Sequence, residues 1–363
     1  MKILYLSTYE LNIQSGVTHK IMSQLQNWVK EGNDVIYISL STLSIYSVKG
    51  HKKSEDLILR KNNKINLLIN QYTSSIKLKA LLRDIDFDLV YMRYNTYDPF
   101  FKAALKNTPL IVEMNSNDIT EAKLRSKLGY YYNKIFRKYF LNIATAFICV
   151  SNEIQKDTLK KDALSKVIAN GIDTSMFTYK EHKALDRPSL AFIGTPGSVW
   201  HGVDKIVQLS KSLPNFDFHI IGEAGNNTDN LYYHGYLALD KTIDILEQCD
   251  IGICTMALHR KNMNEASPLK SRQYLAMGLP IIYAYEDTDI TASYPFVLKL
   301  PNEENNVLDN IKLIEKYVLD IVGKEEIRLM ARNFALSTLD AGIKEKVRVD
   351  FFSKVLNLHS SVT

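Results

Sequence analysis

The sequence predicts an α/β protein made of two doubly wound halves, each a mostly parallel sheet covered by helices. Three observations predict it. Short apolar runs alternate with amphipathic helical stretches along the chain, the signature of βαβ units. The runs are apolar throughout, as strands buried on both faces are. The alternation starts afresh after Asn170-Gly171-Ile172-Asp173, dividing 363 residues into two lengths close to the usual domain size of about 150.

Residues 2–8 open the first half as a buried strand. A loop through Ser15-Gly16 leads into an amphipathic helix at 18–31, which Gly32 stops before a strand at 34–39. Further strands fall at 88–92, 110–113 and 146–150. The stretch 48–70 is polar, basic and weakly periodic, and reads as an excursion from that core. In the second half, strands are expected at 189–194, 216–221, 232–236, 250–256 and 280–284, with helices at 202–213 and 240–248. Helices near 305–322 and 324–337 follow, and an amphipathic helix at 344–358 comes last. The domains expected are 1–168 and 169–342, with 343–363 as a terminal helix.

Composition is that of a soluble globular protein, with 46% hydrophobic and 23% charged residues, so a sizeable core is available. No stretch approaches the roughly 18 apolar residues of a membrane span; the best run, 140–150, is interrupted by Asn142 and Thr145. The opening Met1-Lys2-Ile3-Leu4 enters a strand at once, without a signal-peptide cleavage site. Cys149, Cys249 and Cys254 lie in or beside apolar runs without metal spacing and read as reduced core residues. Together these features imply a cytoplasmic protein. The net charge of +5 is modest, and no nucleic-acid partner is expected. The charge is uneven, however. Lys123, Arg125, Lys127, Lys134, Arg137 and Lys138 interleave with Tyr130, Tyr131, Tyr132, Phe136, Tyr139 and Phe140. Residues 122–140 read either as a long surface helix with its aromatics in the core, or as one resting on an anionic membrane surface at the inner face of the cytoplasmic membrane.

The most informative stretch is 264–280. Ser267-Pro268 reads as an N-cap followed by proline at the first helical position, and Gly278 with Pro280 as the stop, giving a helix of about three turns. Its start carries Lys270 and Arg272 where the macrodipole favours acids. Cations there cost about 0.3–1 kcal/mol each unless an anion sits over them. Two readings remain: a phosphate-sized anion held by backbone N–H groups and Lys270, or a solvated helix whose lysine points away.

These residues resemble family 4 glycosyltransferases. Ser15-Gly16-Val17 with the helix ending Glu31-Gly32-Asn33-Asp34-Val35 is similar to the family's glycine loop and first crossover. Val150-Ser151-Asn152, Asn170-Gly171-Ile172-Asp173 with Phe177, and Ser267-Pro268-Leu269-Lys270 through Arg272-Gln273-Tyr274-Leu275-Ala276 to Gly278-Leu279-Pro280 are similar to three further segments. The resemblance implies the GT-B fold: two Rossmann-like domains facing across a cleft, an N-terminal acceptor domain and a C-terminal donor domain, with the terminal helix returning to the first. It also implies retaining transfer from a nucleotide diphosphate sugar to a glycan or lipid-linked acceptor in cell-surface polysaccharide synthesis, without metal or other cofactor. The nearest candidate metal site, Asp287-Thr288-Asp289, reads instead as a loop with cleft-facing polarity.

Residue by residue, the resemblance gives Lys270 the diphosphate and Glu265 the donor sugar. Gln273 stands where relatives carry a second glutamate for the ribose, which keeps one acceptor oxygen but loses the charge-assisted bond. The loop 194–202 holds Thr195, Ser198 and His201 where many relatives have arginine and lysine. Gly16, Gly222, Tyr236, Ser267, Pro268 and Leu269 complete the expected donor set. Asn115 sits near a histidine of many relatives and cannot act as a base; it is expected with Lys270 and Glu265 in the catalytic set, hydrogen-bonding a sugar hydroxyl or a main-chain group. Arg93 and Glu113, at strand ends, are the ionisable candidates for acceptor contact, with a salt bridge as the other reading of each. Gln273, Asn115 and Thr195 together favour the alternative, a catalytically weakened GT-B homologue acting as a binding or partner subunit. An epimerase or hydrolase would need an acid/base pair that is not found, and no G-x-G-x-x-G supports a nicotinamide dehydrogenase.

Overall fold

The computed structural model describes residues 1–13, 15–46, 67–94, 101–105, 107–181 and 186–361. The expected excursion at 48–70 lies outside the described residues except at 67–70. The chain divides into two compact units, Met1–Ile168 with Lys344–Thr363, and Ala169–Ile343.

In the first unit β1 (Lys2–Ser7), α1 (Gly16–Lys30), β2 (Asp34–Ser39) and β3 (Ile45–Tyr46) are followed by α2 (Leu67–Leu81), β4 (Leu89–Arg93), α3 (Phe101–Ala104) and β5 (Leu110–Met114). Then come α4 (Asp118–Arg125), α5 (Lys127–Ile143), β6 (Ala146–Cys149), α6 (Asn152–Thr158) and β7 (Ser165–Val167). The sheet order is β3-β2-β1-β4-β5-β6-β7, parallel except for β3. Ile3 pairs with Val35 on one side and Leu89 on the other, so the winding reverses at β1. The core joins Ile3, Tyr5, Trp28, Tyr37, Tyr91 and Ile148 to Phe351, Phe352 and Val355 of the last helix. The basic segment expected as one helix is two. Ser126 ends α4 and caps α5, accepting from Gly129 N at 3.3 Å.

The second unit contains β8 (Ser189–Ile193), α7 (Val203–Ser212), β9 (Asp217–Ile221), β10 (Leu231–Gly235), α8 (Leu239–Leu246) and β11 (Ile251–Ile253). There follow β12 (Glu265–Ala266), α9 (Leu269–Ala276), β13 (Ile281–Tyr283), β14 (Glu286–Asp287), β15 (Val297–Lys299), α10 (Ile311–Ile321) and α11 (Glu325–Phe334). Its main sheet, β10-β9-β8-β11-β13-β15, is fully parallel and has the 3-2-1-4-5-6 order of a Rossmann sheet. The helix α12 (Ala341–Ser360) carries the chain back into the first unit from Lys344. Cys149, Cys249 and Cys254 are free thiols in buried positions. No helix among the described residues is long and apolar enough to cross a membrane.

Candidate functional site

The carboxyl end of β8 in the second unit gathers most of the donor residues read from the sequence. β8 lies between β9 and β11, where the sheet reverses its winding, and open α/β sheets bind ligands beyond the strand ends at that point. Gly194 N donates to Ile221 O at 2.9 Å. Gly222 has φ +97°, and a Cβ there would stand 2.0 Å from Gly194 O, so only glycine lets the ends of β8 and β9 approach so closely. Met256 N and Ala257 N donate to the carbonyls of His201 and Trp200 at 3.1 and 3.2 Å, pinning the 194–202 loop beside the end of β11. Within it Thr195 is exposed and Ser198 half-buried. Gly222 N donates to Gly235 O at 2.7 Å, which sets the neighbouring Tyr236, 76% exposed, alongside the Gly222 turn.

The anion-binding helix differs from its sequence reading. It begins at Leu269, with Pro268 at the cap position and no side-chain cap, and runs about two turns instead of three. Ser267 is buried and does not cap it. Its Oγ accepts from Asn170 N at 3.1 Å, while Asn170 Nδ2 donates to Ser267 O at 2.6 Å. Lys270 is therefore the second helical residue. Arg272 needs no external anion: it is fully buried, and its Nη2 donates to Asp287 Oδ1 at 2.8 Å and Asp289 Oδ2 at 2.9 Å. The reading of 287–289 as cleft-facing polarity is thereby corrected. Asp287 is buried, because β14 pairs with β12 and its carboxylate neutralises a guanidinium that could not otherwise leave water. Glu265, on β12, and Leu269 are half-buried.

Lys270 is different. Its Nζ is buried 4.0 Å over the centroid of the Phe192 ring and has no hydrogen-bond partner among the described residues. Burial pushes its ammonium down to about 7, against the opposing pull of Cys254 and Glu223. The His201 ring packs on the same Phe192 ring at 5.6 Å, and its buried Nδ1 also lacks a partner. Burial, with the charges of Lys270 and Lys261, drives His201 down to about 2, so the imidazole is neutral. Gln273, three residues from Lys270 and on the same helix face, has a third unpartnered buried nitrogen in Nε2. An unmade hydrogen bond of this kind costs about 1–3 kcal/mol, more for a charged donor. An anionic, acceptor-rich ligand is the chemistry that satisfies such a set.

In the first unit the polar centre is built on ion pairs around one carboxylate. Glu113 is fully buried and accepts from Lys20 Nζ at 2.8 Å and Asn115 Nδ2 at 3.1 Å, with Arg348 Nη1 at 3.3 Å and Arg93 Nη1 at 3.6 Å. Burial works against its charge, yet Lys20, Arg348 and Arg93 hold its carboxyl well below the usual carboxylate range. Glu113 as an acceptor contact is thus corrected to a buried ion pair, the other reading of that residue. Asn115 belongs to the same network, its Oδ1 accepting from Lys20 Nζ at 3.0 Å. Arg93 keeps 15% of its side chain exposed and stacks 5.5 Å over the Tyr9 ring. Gly16 is exposed at the first position of α1, capped by Ser15. Sequence reasoning missed Phe192, Glu223, Lys20 and Arg348. Only Phe192, two residues before the glycine loop, carried a local signal.

Two Rossmann-like units in one chain, the second with a cationic strand-end site, have the GT-B fold. Residues 15–176 match the family model described as Glycosyltransferase Family 4, so the chain is a transferase whose N-terminal part carries that family's domain. No curated protein matches the chain in sequence. Among solved structures, sucrose-phosphate synthase from Thermosynechococcus elongatus superposes with a TM-score of 0.77 at 11% identity, covering 98% of this chain and 99% of that one. A glycosyltransferase from Rickettsia africae gives 0.67 at 14% identity, covering 98% of each. Anabaena HepE, in complex with UDP and glucose, gives 0.67 at 14% identity, covering 98% of this chain and 100% of its own.

Proposed function

We propose that this protein is a retaining glycosyltransferase. It moves a sugar from a nucleotide diphosphate donor to a glycan or lipid-linked acceptor in cell-surface polysaccharide synthesis, with the first unit as acceptor domain and the second as donor domain. The observation that carries this reading is the buried, unpartnered Lys270 ammonium beside an uncapped helix start. A leaving diphosphate supplies the acceptor oxygens that the site lacks, and Lys270 with the first-turn N–H groups supplies the positive charge that chemistry needs. Glu265 orients the donor sugar and Gln273 the ribose. Thr195, Ser198 and His201 border the phosphates, and Gly222 with Tyr236 borders the base. The C1–O bond breaks toward an oxocarbenium-like state, a leaving-phosphate oxygen takes the acceptor proton, and Arg93 contacts the acceptor. On this reading the donor is the only small molecule needed. UDP bound to Anabaena HepE is consistent with it.

The test is a thermal-shift panel of nucleoside diphosphates and their sugars, since a ligand that binds only the folded state raises Tm by mass action. A rise of several degrees with one base is expected; a flat panel rejects the reading. If donors bind without turnover, the weakened-homologue reading takes over, which Asn115, tied to Lys20 and Glu113, favours.

The same reading includes a peripheral membrane contact. Along α5, Leu128 (81% exposed), Tyr131, Ile135 and Tyr139 recur at helical spacing, with Lys127, Lys134 and Lys138 interleaved. Of the segment's aromatics only Phe140 is fully in the core, so burial does not account for this stripe. Vesicles containing phosphatidylglycerol should sediment the protein, and phosphatidylcholine vesicles should not. Leu128→Ser with Tyr131→Ser should abolish the difference.

A further inference from the structure

Among the described residues Lys270 Nζ has no hydrogen-bond partner, and this bears on ligand binding beyond simple charge attraction. Around Nζ stand the face of Phe192, the Cys254 thiol, the neutral His201 ring and, at longer range, the Glu223 carboxylate. None of these is a hydrogen-bonded counter-charge. Burial pushes the Cys254 thiol up to about 12, so it stays protonated, and it raises Glu223 above the ordinary carboxylate range. Lys261 adds a further positive charge near His201. A ring face contributes only about 0.5–2 kcal/mol to holding an ammonium.

Resting on the donor reading above, we propose that a proton is a co-ligand of the donor: the empty site holds Lys270 partly as the neutral amine, and the incoming diphosphate draws a proton onto Nζ. The sign follows from linkage. A cation whose free-site pKa is depressed, here to about 7, and which regains an ordinary value beside an anion, binds that anion with uptake of up to one proton. As pH falls below the free-site value the site is increasingly charged already and uptake declines toward zero. Above pH 7 uptake rises, and affinity should weaken up to tenfold for each pH unit. A donor sugar has a diester diphosphate whose own charge is constant across this range, so the proton count reports on the protein.

Two measurements test this. Calorimetric titrations of UDP-, GDP-, ADP- and TDP-glucose at pH 6 and pH 8, each in two buffers of different ionisation enthalpy, count the protons. Uptake approaching one proton at pH 8, and clearly less at pH 6, is expected. Lys270→Arg, which never titrates, should still bind the donor but take up no proton. Binding without uptake at pH 8 overturns the inference and leaves the donor reading standing. Absence of heat with every donor removes the donor reading itself. The free protein then still decides the ionisation: a lysine Cε resonance, assigned by its loss in Lys270→Arg, should titrate near pH 7. A midpoint above 10 overturns the inference whatever binds.

Discussion

Lys20 in the first unit and Lys270 in the second are both buried near the carboxyl ends of parallel strands, and the two units treat them oppositely. Lys20 meets Glu113 at 2.8 Å and Asn115 at 3.0 Å, inside a network that also engages Arg93 and Arg348. Lys270 meets a ring face and, among the described residues, no hydrogen-bond acceptor. Burial lowers both, to about 8 and about 7. A cation with a built-in counter-charge holds a fold together; one without it is a site waiting for its partner. The difference teaches where to look for ligand chemistry, because burial alone does not separate the two.

The sharpest way to break the contrast is Lys270→Ala. It should lower kcat/KM by roughly 10²–10³, the scale of losing one preorganised charge at a leaving group, while urea unfolding changes by less than 1 kcal/mol. The stability change is small because the cavity left behind is offset by removal of an unpaired buried ammonium. Lys20→Met should do the reverse. Leaving Glu113 short of a partner should cost about 3 kcal/mol of unfolding free energy, read by denaturant titration, with donor affinity held within a factor of two. If Lys20→Met instead removes donor binding at unchanged stability, the contrast fails. The smallest expected effect sharpens it: Gln273→Glu restores a charged acceptor for a ribose hydroxyl and should tighten donor binding by about 1 kcal/mol, roughly fivefold, by calorimetry. Gln273→Glu with unchanged affinity would place the ribose elsewhere.

The alternation of apolar runs and glycine stops made the doubly wound architecture legible, and most strand cores lie where the runs put them. The helix at 18–31 is seen as Gly16–Lys30, and the last helix extends over Ala341–Ser360. The short strands β3, β7, β12, β14 and β15 were not legible, because two or three residues carry too little periodicity to outweigh their neighbours. The break at Ser126 was hidden for another reason: a serine inside a basic helical pattern becomes a cap only when its side chain finds Gly129 N.

Lys270 was legible as an anomaly, a cation at the wrong end of a helix, and so was the glycine loop ahead of it. The amino-acid sequence by itself determined the two-unit α/β architecture, the position of that helix and the excess of positive charge at its start, because hydrophobic periodicity and turn chemistry act over neighbouring residues. Only tertiary structure decided which charges are spent internally. Arg272 finds Asp287 and Asp289, Glu113 finds Lys20 and Arg348, and Lys270 finds Phe192. Desolvation and pairing depend on groups far apart in the chain, and those meet only once the sheets have formed.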